Sequence, residues 1–122
     1  FRRVLFRSLA CAAALAVLQV IERDGLLRHV TVSGAAWRTG LERLVADFPR
    51  QARAITGRGF MIGLALHVDP VPYVAALREQ GLLVAVAGGN TIRLLPPLVA
   101  TQADLNRSLD ILRTVLQGKE KQ

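Results

Sequence analysis

Between Leu82 and Leu98 the chain reads LLVAVAGGNTIRLLPPL, and no other stretch limits the possible folds as strongly. Two apolar runs flank Gly88-Gly89-Asn90, residue types that tolerate the left-handed backbone of tight hairpin connections. Leu82–Ala87 and Thr91–Leu95 are therefore expected as two strands joined by a short turn. Pro96-Pro97 stops the second strand, because proline has no amide to give to a ladder. Arg93 alone interrupts the apolar pattern. Side chains alternate along a strand, so Arg93 points away from the face that Ile92 and Leu94 share. Its planar fork of donors suits a carboxylate or a phosphate. The plainer reading is a solvated charge on the open face of a sheet.

Upstream, the apolar period changes from strand-like to helical. Leu9–Arg23 is rich in alanine and leucine and is expected as a helix stopped by Asp24-Gly25. It is apolar on both faces, so it wants partners on more than one side. Its apolar part, Leu9–Ile21, is too short to span a bilayer. Leu26–Phe48 is a second helix. Leu27, Val30, Gly34, Trp37, Leu41, Leu44 and Phe48 recur at spacings of three and four and form a core stripe. Arg28, Arg38 and Arg43 are expected on solvated faces and His29 on the surface, with Pro49 ending the helix. Ala52–Thr56 and Phe60–Val68 read as strands around Gly57-Arg58-Gly59, where the glycines permit a bulge or a reversal. Asp69-Pro70-Val71-Pro72 leads into a helix over Tyr73–Gln80, whose Val74 and Leu77 can face the sheet, and Gly81 stops it. After the hairpin, Thr101 is a good N-cap and Asp104 adds a favourable charge three residues later. Leu105, Leu109, Leu112 and Leu116 mark a final amphipathic helix, and Gly118–Gln122 is expected as a polar, frayed tail. The order is two helices, two strands, a helix, two strands and a helix. That is an α+β architecture, a small and mostly antiparallel sheet covered by helices.

A length of 122 residues fits one domain with a real core. The net charge of +7 invites a nucleic-acid reading. However, three of the basic residues, Arg2, Arg3 and Arg7, cluster in the first seven positions. The other arginines are scattered, and no aromatics alternate with them to stack bases. The single cysteine, Cys11, excludes an internal disulfide and any CxxC metal site, and in its Ala-rich setting it is expected as a small buried hydrophobe. Gly57-Arg58-Gly59 lacks the third glycine of a dinucleotide loop, and no Gly-Lys-Ser/Thr follows. His67 is expected as a strand-end boundary residue. No cluster of metal ligands and no Ser-His-carboxylate motif is recognisable. Only Lys119 and Lys121 are lysines, both near the C-terminal end.

Three segments carry a family resemblance. Gly88-Gly89-Asn90-Thr91-Ile92-Arg93-Leu94-Leu95-Pro96-Pro97-Leu98 resembles the GGN-x-(I/V)-R-L-L-P-P-L segment near the C-terminus of acetylornithine aminotransferases, class III enzymes that use pyridoxal 5′-phosphate (PLP). Leu9-Ala10-Cys11-Ala12-Ala13-Ala14-Leu15-Ala16-Val17-Leu18 is similar to the family's LACAAALAVL helix. Gly57-Arg58-Gly59-Phe60-Met61-Ile62-Gly63 resembles its RG-x-G-(L/F)-MIG strand. The match runs in order from Leu9 to about Leu116. Thr56 stands where an arginine is common and Ala65 where a glutamate is common. Residues 9–118 are thus expected to be the C-terminal small domain of a fold-type I PLP enzyme, with 119–122 as a tail. The first eight residues, FRRVLFRS, replace the family's glycine-rich FGGNP-like segment. Val4-Leu5-Phe6-Arg7-Ser8 reads as the translation of a sequencing adapter, so residues 1–8 are expected to be foreign to the gene.

For a whole enzyme the resemblance implies a cytoplasmic homodimer of arginine biosynthesis. It would move the δ-amino group of N-acetylornithine onto 2-oxoglutarate, giving an N-acetylglutamate semialdehyde and glutamate. Arg93 matches the family arginine that pairs with a substrate carboxylate. Succinylornithine and other class III ω-aminotransferases share much of this region and stay open as alternatives. A different class also stays open, a free-standing basic module for acidic ligands or RNA. A transaminase needs a Schiff-base lysine in a preorganised setting, an acidic partner for the pyridine nitrogen and a phosphate cup. In the family these come from the large domain. This chain alone is therefore expected to be inactive, with no catalytic, cofactor-binding or metal-binding residue of its own.

Overall fold

The structure, a computed structural model, describes the backbone of residues 2–120 and the side chains of residues 7–120. Phe1 of the leader and the last two residues of the tail lie outside the described residues. The elements follow the expected order: α1 Arg2–Arg23, α2 Leu26–Asp47, β1 Ala52–Arg58, β2 Met61–Leu66, α3 Val71–Glu79, β3 Ala85–Ala87, β4 Thr91–Leu94 and α4 Gln102–Glu120. The four strands form one sheet in the order β1-β2-β4-β3, with every neighbouring pair antiparallel.

One face of the sheet is the core. Ile62, Leu64, Ile92 and Leu94 point into it and meet Trp37, Leu41, Leu44 and Phe48 of α2, Leu77 of α3, and Leu105, Leu112 and Leu116 of α4. The α2 stripe begins at Leu26 and not at Leu27, which is 69% exposed. Leu26 lies four residues before Val30, whereas Leu27 sits about 100° further round the helix and outside the buried arc. Trp37 donates through Nε1 to the Ser108 hydroxyl at 3.0 Å, and that hydroxyl donates to the Leu105 carbonyl at 2.6 Å. A second buried chain joins α3 to α4 through the turn before β1. Tyr73 donates to Gln51 Oε1 at 2.9 Å, and Gln51 Nε2 donates to the Leu116 carbonyl at 3.1 Å. Burial raises the Tyr73 pKa above its ordinary value.

Several boundaries and environments differ from expectation. The first helix starts at Arg2, so the leader continues it without a break. Helix α3 starts at Val71, because Pro72 fits a first helical turn and Asp69 Oδ1 accepts from the Val71 amide at 3.0 Å. Strand β3 is only three residues long. Leu82 spends its amide on the Leu77 carbonyl at 2.9 Å, closing the end of α3 through Gly81, so it does not join the ladder. Helix α4 runs through Lys119 to Glu120, so no frayed tail begins at Gly118. Cys11 is exposed rather than buried, because α1 packs mainly on α2 and Leu9, Leu15, Val17 and Leu18 on the same helix are also uncovered. His29 is half-buried; its Nε2 lies 2.8 Å from the Ala100 carbonyl and its ring stands edge-on to Phe60. Arg38 does not simply face water. Its guanidinium donates to the carbonyls of Gly57 at 2.9 Å and Ile55 at 3.1 Å, which the edge position of β1 leaves unpaired.

Candidate anion-binding site

The opposite face of the sheet is open. Along β4 the burial alternates, with Ile92 and Leu94 buried and Arg93 exposed between them. The turn that sets this register uses the expected residues: Gly89 has φ 67° and Asn90 φ 55°, and Ala87 pairs with Thr91 across them. Because the sheet is antiparallel throughout, one cross-strand row can be read on the open face. Thr56 of β1 pairs with Gly63 of β2, Gly63 pairs with Arg93 of β4, and Arg93 pairs with Ala85 of β3. Arg93 is thus the one long side chain in a row whose other members are small.

Around it lies a depression of about 310 Å³ lined by Thr56, Gly57, Arg58, Met61, Ile62, Gly63, Ala87, Thr91 and Arg93. Its floor depends on Gly63. A Cβ there would lie 2.6 Å from Thr56 Oγ1 and 2.9 Å from Thr91 Cγ2, so only glycine leaves the row open. The two hydroxyls are already committed as donors. Thr56 donates to the Gly63 carbonyl and Thr91 to the Gly89 carbonyl, each at 3.3 Å. The charged side chains that line the depression are therefore Arg93 and Arg58, the latter also lining a second depression with Arg38 of α2, and no carboxylate lines the first. Chemically this is a shallow, cationic seat for a small anion.

Sequence reasoning singled out Arg93, and the structure places it as alternation requires. It missed Gly63, Thr56, Thr91 and Arg58 as its companions. The signal was present in part: Arg58 is two residues from Thr56, and like that residue it lies on the open face, opposite Met61. Among the described residues no group of three or more His, Cys, Asp or Glu side chains could hold a metal ion, and no helix is long and apolar enough to cross a membrane.

The resemblance to PLP enzymes can be set against these side chains. Lys119, the only described lysine, lies in the last turn of α4. It lines a cleft with Ala76, Glu79 and Thr114 that shares no residue with the Arg93 depression. That depression supplies cations for an anion but neither an amine for a Schiff base nor a carboxylate for a pyridine nitrogen. The described residues of this chain therefore do not fit PLP by themselves.

Comparison with known proteins bears on the whole of this domain. Residues 7–116 match the aminotransferase class-III family. An acetylornithine aminotransferase from Synechocystis sp. is 40% identical over 112 residues, covering 88% of this chain and 26% of that protein. Among solved structures, an acetylornithine aminotransferase from Elizabethkingia anophelis superposes with a TM-score of 0.85 at 30% identity, over 90% of this chain and 28% of the other. A lysine aminotransferase from M. tuberculosis superposes with a TM-score of 0.79 at 31% identity, over 84% and 24%. The chain thus spans about a quarter of the length of the relatives it matches.

Proposed function

The chain belongs to the aminotransferase class-III family, and from that premise we propose that it is the C-terminal small domain of a PLP-dependent acetylornithine aminotransferase. In this reading residues 9–118 form the domain, and the amine, the pyridine partner and the phosphate cup come from other parts of a longer, cytoplasmic, homodimeric enzyme of arginine biosynthesis. The reaction is transfer of the δ-amino group of N-acetylornithine to 2-oxoglutarate, with PLP supplying the electron sink for that transfer. This chain's part is to present Arg93 to a substrate carboxylate. The observation that carries the proposal is the unpaired guanidinium of Arg93, fixed by the register of β4 above a glycine floor. Relatives named for acetylornithine support the subclass.

The test is Arg93→Lys in a full-length aminotransferase carrying this domain. Lysine keeps the charge and loses the fork. A desolvated charge-assisted pair is worth about 2–5 kcal/mol, so kcat/KM for 2-oxoglutarate should fall about tenfold or more while the PLP absorbance stays as in the parent. An unchanged kcat/KM would refute the role of Arg93. The chain on its own, mixed with PLP, should give no turnover and no borohydride-trapped adduct at a single lysine. Stoichiometric trapping with turnover would overturn the assignment as a domain dependent on others.

A further inference from the structure

β1 is an edge strand, and the register of the sheet shows which of its backbone groups lie open. The Leu66 amide donates to the Asn90 carbonyl at 2.9 Å, on the β4 side of β2. Backbone groups alternate from side to side along a strand, so Leu64 and Ile62 also turn theirs to β4, where they pair with Ile92 and Leu94. Their partners in β1, Ile55 and Gly57, therefore turn N–H and C=O away from β2, to the open edge. Arg38 reaches across from α2 and meets both residues. Its Nη1 donates to the Gly57 carbonyl at 2.9 Å and its Nη2 to the Ile55 carbonyl at 3.1 Å. Its Nε donates to Glu42, one helical turn away, at 2.8 Å. The fork thus takes the place of two donors that a neighbouring strand would bring to successive ladder positions. A depression of about 560 Å³, lined in part by Thr31, Gly34 and Ala35 of α2 and by Gly57-Arg58-Gly59, lies along this edge.

We propose that Arg38 is a latch that closes the β1 edge to strand addition, and that with the latch released the edge pairs antiparallel with β1 of a second copy. The proposal is independent of the reading of Arg93. An uncovered edge is a template for another chain. β1 has seven residues and no proline, so every residue along it keeps its amide for a ladder. The edge is also self-complementary, because Ile55 and Gly57 of each copy offer both a donor and an acceptor. In a pairing symmetric about Ile55, that residue meets its own copy and Arg53 meets Gly57, so no arginine lies opposite an arginine. The net charge of +7 opposes the approach of two copies until salt screens it.

The test compares the parent with Arg38→Met and Glu42→Ala, all three carrying Leu18→Glu to suppress association through α1. Salt is held at about 0.15 M, where the screening length is about 8 Å. Methionine keeps the apolar stem and the helix propensity and loses the donors. Glu42→Ala keeps the guanidinium and loses only its anchor on α2. Sedimentation velocity gives the oligomeric state, and NMR amide exchange at low and high protein concentration follows Ile55 and Gly57. The parent should stay monomeric, with exchange at both amides independent of concentration. Arg38→Met should dimerise, and its Ile55 amide should exchange about threefold to tenfold more slowly at high concentration, the net worth of one backbone hydrogen bond. Glu42→Ala should change in the same direction by less. An Arg38→Met chain that stays monomeric would overturn the proposal, and so would a dimer in which the Ile55 amide is no slower. A parent that already protects Ile55 as its concentration rises would show that Arg38 does not close the edge. If Arg38→Met fails to fold, Glu42→Ala decides alone, and concentration-independent exchange at Ile55 there overturns the latch.

Discussion

Gly63→Ala tests whether the floor of the Arg93 depression is as closely packed as the row across the sheet requires. The added methyl would lie 2.6 Å from Thr56 Oγ1 and 2.9 Å from Thr91 Cγ2. Both contacts are well inside van der Waals distance, and both partners are short side chains with one rotatable bond. Overpacking of this kind costs about 1–3 kcal/mol. Removing a glycine from a strand returns about 0.5–1 kcal/mol of backbone entropy. The net expectation is a loss of about 1 kcal/mol, read as a lower urea midpoint with the slope unchanged. In a background of Thr56→Ala and Thr91→Ser the nearest atoms are gone, and the same Gly63→Ala step should become stabilising by about 0.5 kcal/mol. The reversal of sign, a coupling of about 1–2 kcal/mol between neighbours, is the diagnostic result. The Thr56 hydroxyl gives only an exposed 3.3 Å bond, so its loss does not obscure the cycle. If Gly63→Ala is neutral in the parent, or carries the same cost in both backgrounds, the two threonines do not close over Gly63 and the site has no defined floor.

Three further outcomes are expected. Tyr73→Phe removes the donor to Gln51 Oε1 in a buried position and should cost about 1–3 kcal/mol in urea unfolding; a variant as stable as the parent would show that this chain of bonds is not needed. The pKa of Asp104 lies below the usual carboxylate range because its carboxylate accepts from the Thr101 hydroxyl and amide. A depressed carboxylate contributes stability that is present above the unfolded pKa of about 3.9 and is lost as pH falls through the lower folded value. Asp104→Asn should therefore lose less thermal stability than the parent between pH 5 and more acid solution, and equal losses would refute the capping role. Leu15, Val17 and Leu18 of α1 are 56%, 58% and 62% exposed, so the chain should self-associate in light scattering and Leu18→Glu should reduce that association; a monodisperse parent monomer would contradict it.

What could be read from the chain divides along the range of the interactions that decide it. Arg93 was readable because its direction depends on strand alternation and on a turn formed by the next few residues, both local. The helix stripes were readable for the same reason. The shortening of β3 was not, since Leu82 diverts its amide to Leu77, a competition between two elements for one donor. Nor was Arg38, whose partners are the open carbonyls of an edge strand; knowing that β1 is an edge requires the strand order. Cys11 failed for a related reason. An all-round apolar helix signals burial, but burial needs a surface to pack against, and α1 packs mainly on α2, which leaves Cys11 uncovered. Arg58 follows the same logic. Its alternation within β1 is local, but its place in one depression with Arg93 depends on the strand order, in which β2 lies between β1 and β4. The depression that both arginines line crosses Gly63, which puts no side chain on the open face of the sheet.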